Sequence, residues 1–206
     1  ETLLDGALDD SDMARQFLIK MDTEVDALSL MVSELLELSR IESGKVPLVF
    51  KEMLPGEILA TANERLRLQA ERSGLTVEVV CSTQLPHVLV DPPRIEQVLV
   101  NLLHNAIKFT PRGGKIILAA EENMSSPSAP MIRFSVADNG VGISDDVLPR
   151  IFERFYKADR ARSGGGTGLG LAIARHIVDL HHGQIWAESR EGKGSTFYFT
   201  IPLTTE

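Results

Sequence analysis

Two runs of strand period, Lys115 to Glu122 and Met131 to Ala137, flank a polar tip, Asn123 to Pro130, that is rich in Ser and Pro. That arrangement reads as a hairpin with a solvated loop, and everything else in the chain must be placed around it. A helix from Glu57 to Arg72 ends at Gly74, followed by a strand at Thr76 to Cys81 and a short one at Val88 to Val90. Asp91-Pro92-Pro93 supplies an N-cap and a first-turn proline for a helix from Arg94 to Phe109, which Pro111 and Gly113-Gly114 stop. A short helix near Asp145 to Phe152, a helix from Leu169 to His182 ending at Gly183, and strands at Gln184 to Ser189 and Ser195 to Ile201 complete the body. Lys45 to Lys51 reads as a further strand, at an edge because it carries Pro47. Helices and strands mix without strict βαβ alternation, so the expected class is α+β, a two-layer α/β sandwich with a mixed sheet.

Ahead of this body, residues 13 to 43 carry Phe17, Met21, Leu28 and Leu35, with Val25, Met31, Val32 and Leu38, at spacings of three, four and seven. This predicts one helix about 45 Å long, with Ser11 as N-cap and Gly44 as stop. Glu1 to Leu8 reads as the tail of a preceding helix that turns at Asp9-Asp10. So wide an apolar stripe must be covered, either by the chain's own body or by helices of a partner. The expected division is residues 1–45 and 46–206.

A net charge of −8 disfavours nonspecific contact with nucleic acid or an anionic membrane, which needs clustered Lys and Arg. Cys81 is the single cysteine, which excludes an internal disulfide and suggests a reducing compartment; its place at the end of a Val-rich run makes it packing material. No run approaches the ~18 apolar residues of a membrane span, and the acidic start is no signal peptide. A soluble, cytoplasmic chain is therefore expected.

Three stretches could carry chemistry. The strand Ile132 to Ala137 ends in Asp138-Asn139-Gly140-Val141-Gly142, a carboxylate at the mouth of the core with two glycines that let the main chain approach a flat ligand. An ordinary strand turn would look the same. On the helix ending at Phe109, Asn101, Asn105 and Lys108 share one face, opposite Val98, Leu102, Leu103 and Ile107. Carboxamides in mid-helix weaken it, so they either bond a neighbouring loop or serve a ligand; an amide oxygen suits Mg²⁺ accompanied by phosphates and water. Finally, Gly164-Gly165-Gly166-Thr167-Gly168-Leu169-Gly170 leads straight into a helix, an anion cradle where free N–H groups and the helix dipole point the same way. It has neither the Lys of a P-loop nor the glycine register of a dinucleotide site.

Together, Asn101 to Phe109, Asp138 to Gly142, Ile151-Phe152-Glu153-Arg154-Phe155 and Gly166 to Gly170 resemble the N, G1, F and G2 boxes of sensor histidine kinases, in order. The resemblance covers about residues 50 to 203 and implies the Bergerat ATP-binding sandwich shared with gyrase and MutL ATPases. Residues 1 to 45 resemble the second helix of the family's dimerisation hairpin. By this resemblance Asp138 would hold the adenine amino group, Asn105 would ligate Mg²⁺, and Asn101 and Lys108 would face the phosphates of ATP. The glycines of the last box would line those phosphates within a lid from about Ile143 to Thr167. Tyr156 would lie near the ring, Lys157 near the phosphates, and Phe152 and Phe155 at the lid base. The resemblance also implies a homodimer and a response-regulator receiver domain as partners.

In the ATPase relatives a glutamate general base stands where this chain has Asn101, and an amide cannot take that proton, so hydrolysis should be slow. The family's H-E-x-x-x-P acceptor box is missing: none of His87, His104, His176, His181 and His182 is followed by Glu. All five read as structural or solvated, with His181 and His182 placed where a cation suits a helix C-terminus. The chain thus reads as a fragment that starts past its own phosphorylation site and cannot phosphorylate itself. A non-catalytic nucleotide sensor or docking module and a hydrolysing ATPase are the rival readings.

Overall fold

The computed structural model describes residues 11–42, 47–123, 130–157 and 167–203. Its elements are α1 (Ser11–Glu42), β1 (Lys51–Met53), α2 (Pro55–Arg72), β2 (Thr76–Cys81), β3 (Val88–Val90) and α3 (Pro92–Phe109), then β4 (Lys115–Asn123), β5 (Met131–Asp138), α4 (Gly170–Leu180), β6 (Ile185–Arg190) and β7 (Gly194–Pro202). Five strands form a mixed sheet in the order β2-β4-β5-β7-β6, with β2 and β4 parallel and every other pair antiparallel. Helices α2, α3 and α4 pack on one face, which gives the expected two layers.

Strand alternation makes the core. Ile132, Phe134 and Val136 of β5 and Phe197, Phe199 and Ile201 of β7 point inward, and Phe134 stacks on its cross-strand partner Phe199 at 4.8 Å between centroids. Against them α3 buries Ile95, Leu99, Leu102 and Leu103 completely, each worth about 1.5–3 kcal/mol. Asp91 caps α3, its Oδ1 accepting from the Arg94 N–H at 3.3 Å, as the sequence predicts.

Two elements differ from expectation. Residues 47–50 are not a strand: the Val49 N–H donates to Asp91 Oδ2 at 2.8 Å instead of entering a ladder, and β1 begins only at Lys51, paired with β3 apart from the main sheet. Near Asp145 to Phe152 there is a single 3₁₀ turn, Leu148–Arg150, around Pro149. So short a segment cannot repay the cost of nucleating an α-helix. The preceding-helix reading of Glu1 to Leu8, the Gly44 stop and most of the hairpin tip lie outside the described residues.

The stripe of α1 divides between the two coverings. Leu38 is 2% exposed within the body's core and Met31 packs beside it, whereas Met21, Val25, Leu28, Val32 and Leu35, at alternating spacings of four and three, remain exposed. Cys81 is half-buried against the core, its Sγ close to Gly56, as packing material would be.

His181 is structural, as expected, but neutral where a helix end would suit a cation. It is buried, its Nδ1–H donates to the Ile177 carbonyl at 2.8 Å, and its Nε2 accepts from the Asp91 N–H at 3.0 Å, so the ring is neutral. Phe50 packs edge-on against it, tying the segment after α1 to the ends of α3 and α4. Burial, the largest cause, holds its pKa below the ordinary 6.5. The folded state therefore binds fewer protons than the unfolded state, and stability present above pH 6.5 is lost as pH falls from there through the lowered value. Wild-type stability, and Tm with it, should fall between pH 7.5 and 5.5, by about 1 kcal/mol, because the unfolded chain takes up a proton that the buried ring refuses. His181→Gln, which takes up no proton, should flatten that part of the melting profile.

Candidate functional site

Strand β5 delivers Asp138 between Ile116 of β4 and Ser195 of β7 at the end of the sheet. Its Oδ1 accepts from the Gly140 N–H at 2.8 Å. Burial raises its pKa above 3.8, and the backbone of Gly140 and Ser195 pulls the other way without cancelling it. A half-buried carboxylate on which desolvation outweighs local bonding is one that a further donor would stabilise.

The glycines beside it also serve the protein's own packing. A Cβ on Gly140 would lie 2.4 Å from the Phe109 carbonyl oxygen, and one on Gly142, at φ +71°, 2.1 Å from the Arg190 carbonyl oxygen. They let the turn press on the protein's own backbone. The Val141 N–H bonds Phe109 O at 3.2 Å, Gly192 N–H bonds Val141 O at 2.7 Å, and Ile143 N–H bonds Ser189 Oγ at 2.8 Å. The Asp138 turn is thereby stapled to the end of α3 and to the β6–β7 hairpin. Ser189, Ser195, Gly192 and Gly194 complete this staple, and only the Gly-x-Gly-Ser of 192 to 195 hinted at it.

Along α3, Asn101, Asn105 and Lys108 are half-buried on the predicted face. The Asn101 Nδ2–H donates to the Gly170 carbonyl at 2.9 Å, so this carboxamide does bond the neighbouring glycine turn. Lys108 lies beside the Phe109 ring, its Nζ 5.2 Å from the centroid, and Phe109 itself is 44% exposed. Burial and then repulsion from Lys157 hold the Lys108 pKa below 10.5, so a polyanion arriving there would favour the charged form of Lys108. Tyr156 turns its ring under the Arg150 guanidinium at 4.4 Å.

In the glycine stretch, Thr167 is buried and its Oγ1 accepts from the Leu169 N–H at 3.2 Å. Gly168 takes φ +77° and its carbonyl accepts from the Phe155 N–H at 2.9 Å. Phe155, left-handed at φ 60°, is thereby tied to the glycine stretch through its backbone, with its ring 52% exposed, while Phe152 packs edge-on against Phe197. The Leu169 side chain is fully buried in the core, which leaves only its backbone to face a ligand. Gly164, Gly165 and Gly166 lie outside the described residues.

The profile of the histidine kinase-, DNA gyrase B-, and HSP90-like ATPases matches residues 90–205, more than half of the chain and all three stretches above. The chain belongs to that ATPase family. Within the family its relatives are sensor histidine kinases: it is 34% identical over 208 residues to the sensor histidine kinase WalK of Bacillus subtilis, covering 100% of this chain and 33% of WalK. Full-length ShkA in complex with AMPPNP superposes with a TM-score of 0.78 at 30% identity, over 93% of this chain and 39% of ShkA. Histidine kinase ThkA in complex with the response regulator protein TrrA gives 0.74 at 29% identity, over 95% and 53%. The chain spans about a third of the length of WalK.

A histidine-kinase ATPase domain invites the question of its metal. Among the described residues no three His, Cys, Asp or Glu side chains gather as a metal site. Mg²⁺ keeps most of its ligands as water and phosphate oxygens, so the single carboxamide oxygen of Asn105 on the polar face of α3 fits it.

Proposed function

We propose that this chain is the ATP-binding catalytic part of a two-component sensor histidine kinase, which transfers the ATP γ-phosphoryl group to a histidine on a dimerisation hairpin for relay to a response regulator. One observation carries the reading: a single polar helix face links a half-buried carboxylate turn at its C-terminal end to a pair of lysines that repel one another and a glycine turn. Asp138, with Gly140 and Gly142 shaping its turn, accepts from the adenine amino group, and Phe109 and Tyr156 flank the ring. Lys108, Lys157 and the turn from Gly164 to Gly170 receive the phosphates. Asn105 would hold Mg²⁺, which when bound would neutralise charge on the phosphate oxygens. Asn101, already donating to Gly170, orients that turn, and as an amide it draws no proton from water. The incoming histidine supplies its own nucleophile: its ring nitrogen bonds phosphorus as the bond to the β-phosphate bridging oxygen breaks, and ADP departs with that electron pair.

The complexes of ShkA with AMPPNP and of ThkA with TrrA support nucleotide binding and receiver-domain docking for this chain too. The exposed seam of Met21, Val25, Leu28, Val32 and Leu35 on α1 supports a homodimer through residues 1–45, with 46–206 as the catalytic domain. No helix among the described residues is long and apolar enough to cross a membrane, and we assign the chain to the cytoplasmic side of the signalling protein.

Calorimetry with ATP and Mg²⁺ should show one site per chain. A separately supplied hairpin carrying the acceptor histidine should then gain an acid-labile phosphoryl group from this chain and ATP. Binding without transfer would favour a nucleotide-sensing module, and steady phosphate release at ordinary turnover an ATPase.

A further inference from the structure

Thr167 stands three residues ahead of α4, the helix whose start the proposed phosphates would face, and its hydroxyl is already committed. Oγ1 accepts from the Leu169 N–H and donates its one proton to Oε2 of Glu34, 133 residues away on α1. Glu34 is held there by its neighbours. Met31 and Leu38, one turn to either side, pack into the body's core, and Glu37 bonds the Arg94 guanidinium and accepts from Gln97 Nε2 at 3.0 Å. The same carboxylate acts electrostatically on His104 of α3, on the turn between Asn101 and Asn105. A carboxylate of one helix thus sits where the glycine turn would meet a phosphate oxygen, on the same donor.

Resting on the nucleotide reading above, the geometry points to Glu34 as a built-in competitor of the ATP phosphates: docking of α1 and binding of the triphosphate exclude one another at Thr167. Two anions cannot share one hydroxyl proton, and the second brings repulsion as well. By linkage, a docked helix weakens ATP and bound ATP loosens the helix to the same extent. The helix that carries the exposed dimer seam is then released from the body when the site fills, leaving the body free to move to its acceptor.

The test measures ATP affinity with Mg²⁺ by calorimetry on the whole chain for wild type, Glu34→Gln, Glu34→Ala and the control Glu24→Gln. Glutamine matches glutamate in helix propensity, so folding is preserved. Both Glu34 variants should bind about three- to tenfold more tightly, the worth of one hydrogen bond no longer given up, with alanine the tighter. Glu24→Gln removes the same charge about 15 Å up the helix and should match wild type. In wild type, saturating ATP should also speed amide exchange across Met31 to Leu38. Unchanged or weaker binding by the Glu34 variants, or an equal gain in Glu24→Gln, overturns the competition and leaves the nucleotide site standing. No uptake by any of the four overturns the nucleotide reading and the competition with it.

Discussion

Asp138→Ala should lower ATP affinity by up to about a hundredfold, the worth of one charge-assisted bond in a half-buried site, while the melting temperature stays within a few degrees of wild type. Stability should hold because two changes oppose each other. The variant sheds a carboxylate whose pKa is raised by burial, and it leaves the Gly140 N–H without its acceptor. Asp138→Asn, which keeps an acceptor oxygen but no charge, should fall between the two, at about a tenfold loss. The sign of the pH dependence follows from the same geometry. In the free protein burial holds the Asp138 pKa above 3.8; an amino donor on adenine favours the ionised form and lowers it. Binding thus releases a proton, and affinity should decline as pH falls into the range between the two values. Asp138→Asn should show no such decline. Calorimetry across pH on the three proteins decides it: a wild-type affinity indifferent to removal of the carboxylate would remove the base-recognition half of the proposed site.

Local chemistry made most of the body legible. The Asp91-Pro92-Pro93 entry and the Pro111 to Gly114 exit bound α3 to within two residues, and β2 and β3 coincide with their apolar runs, because caps, prolines and alternation act over a few residues. What escaped depends on partners far along the chain. Residues 47–50 are strand-like in composition, but the Val49 N–H is claimed by Asp91, 42 residues on. The α1 stripe carries no mark of which residues dock on the body, since Leu38 and Leu35 are alike as side chains. Glu34 and Thr167 have no sequence signal linking them at all. In the site itself, residue types singled out the carboxylate, the carboxamides and the two lysines as candidates. They gave no sign that the missing side chains of Gly140 and Gly142 also accommodate the protein's own carbonyl groups, or that the Leu169 side chain is core.

Those glycines set up the largest effect on stability. Gly142 is left-handed at φ +71°, and an added Cβ would meet the Arg190 carbonyl oxygen at 2.1 Å and its carbon at 2.7 Å. Backbone at the end of β6 cannot swing aside as a side chain could, because Gly192 and Val141 bond across the same contact. Gly142→Ala should therefore cost the left-handed strain of about 1–2 kcal/mol and a further 1–3 kcal/mol or so of overpacking. Together these should lower Tm by about 10 °C in a domain of this size. Gly113 separates the two causes. It too is left-handed, at φ +86°, but has nothing within 4 Å of the added carbon, so Gly113→Ala should show the strain alone. If the two variants melted together, the close approach at Arg190 would carry no energy. If Gly142→Ala melts well below Gly113→Ala, ATP affinity of its folded fraction should also fall, because the displaced turn carries Asp138 with it. The pair of variants thus measures how far the base-binding carboxylate depends on the β6–β7 hairpin, whose residues touch no nucleotide in the proposed site.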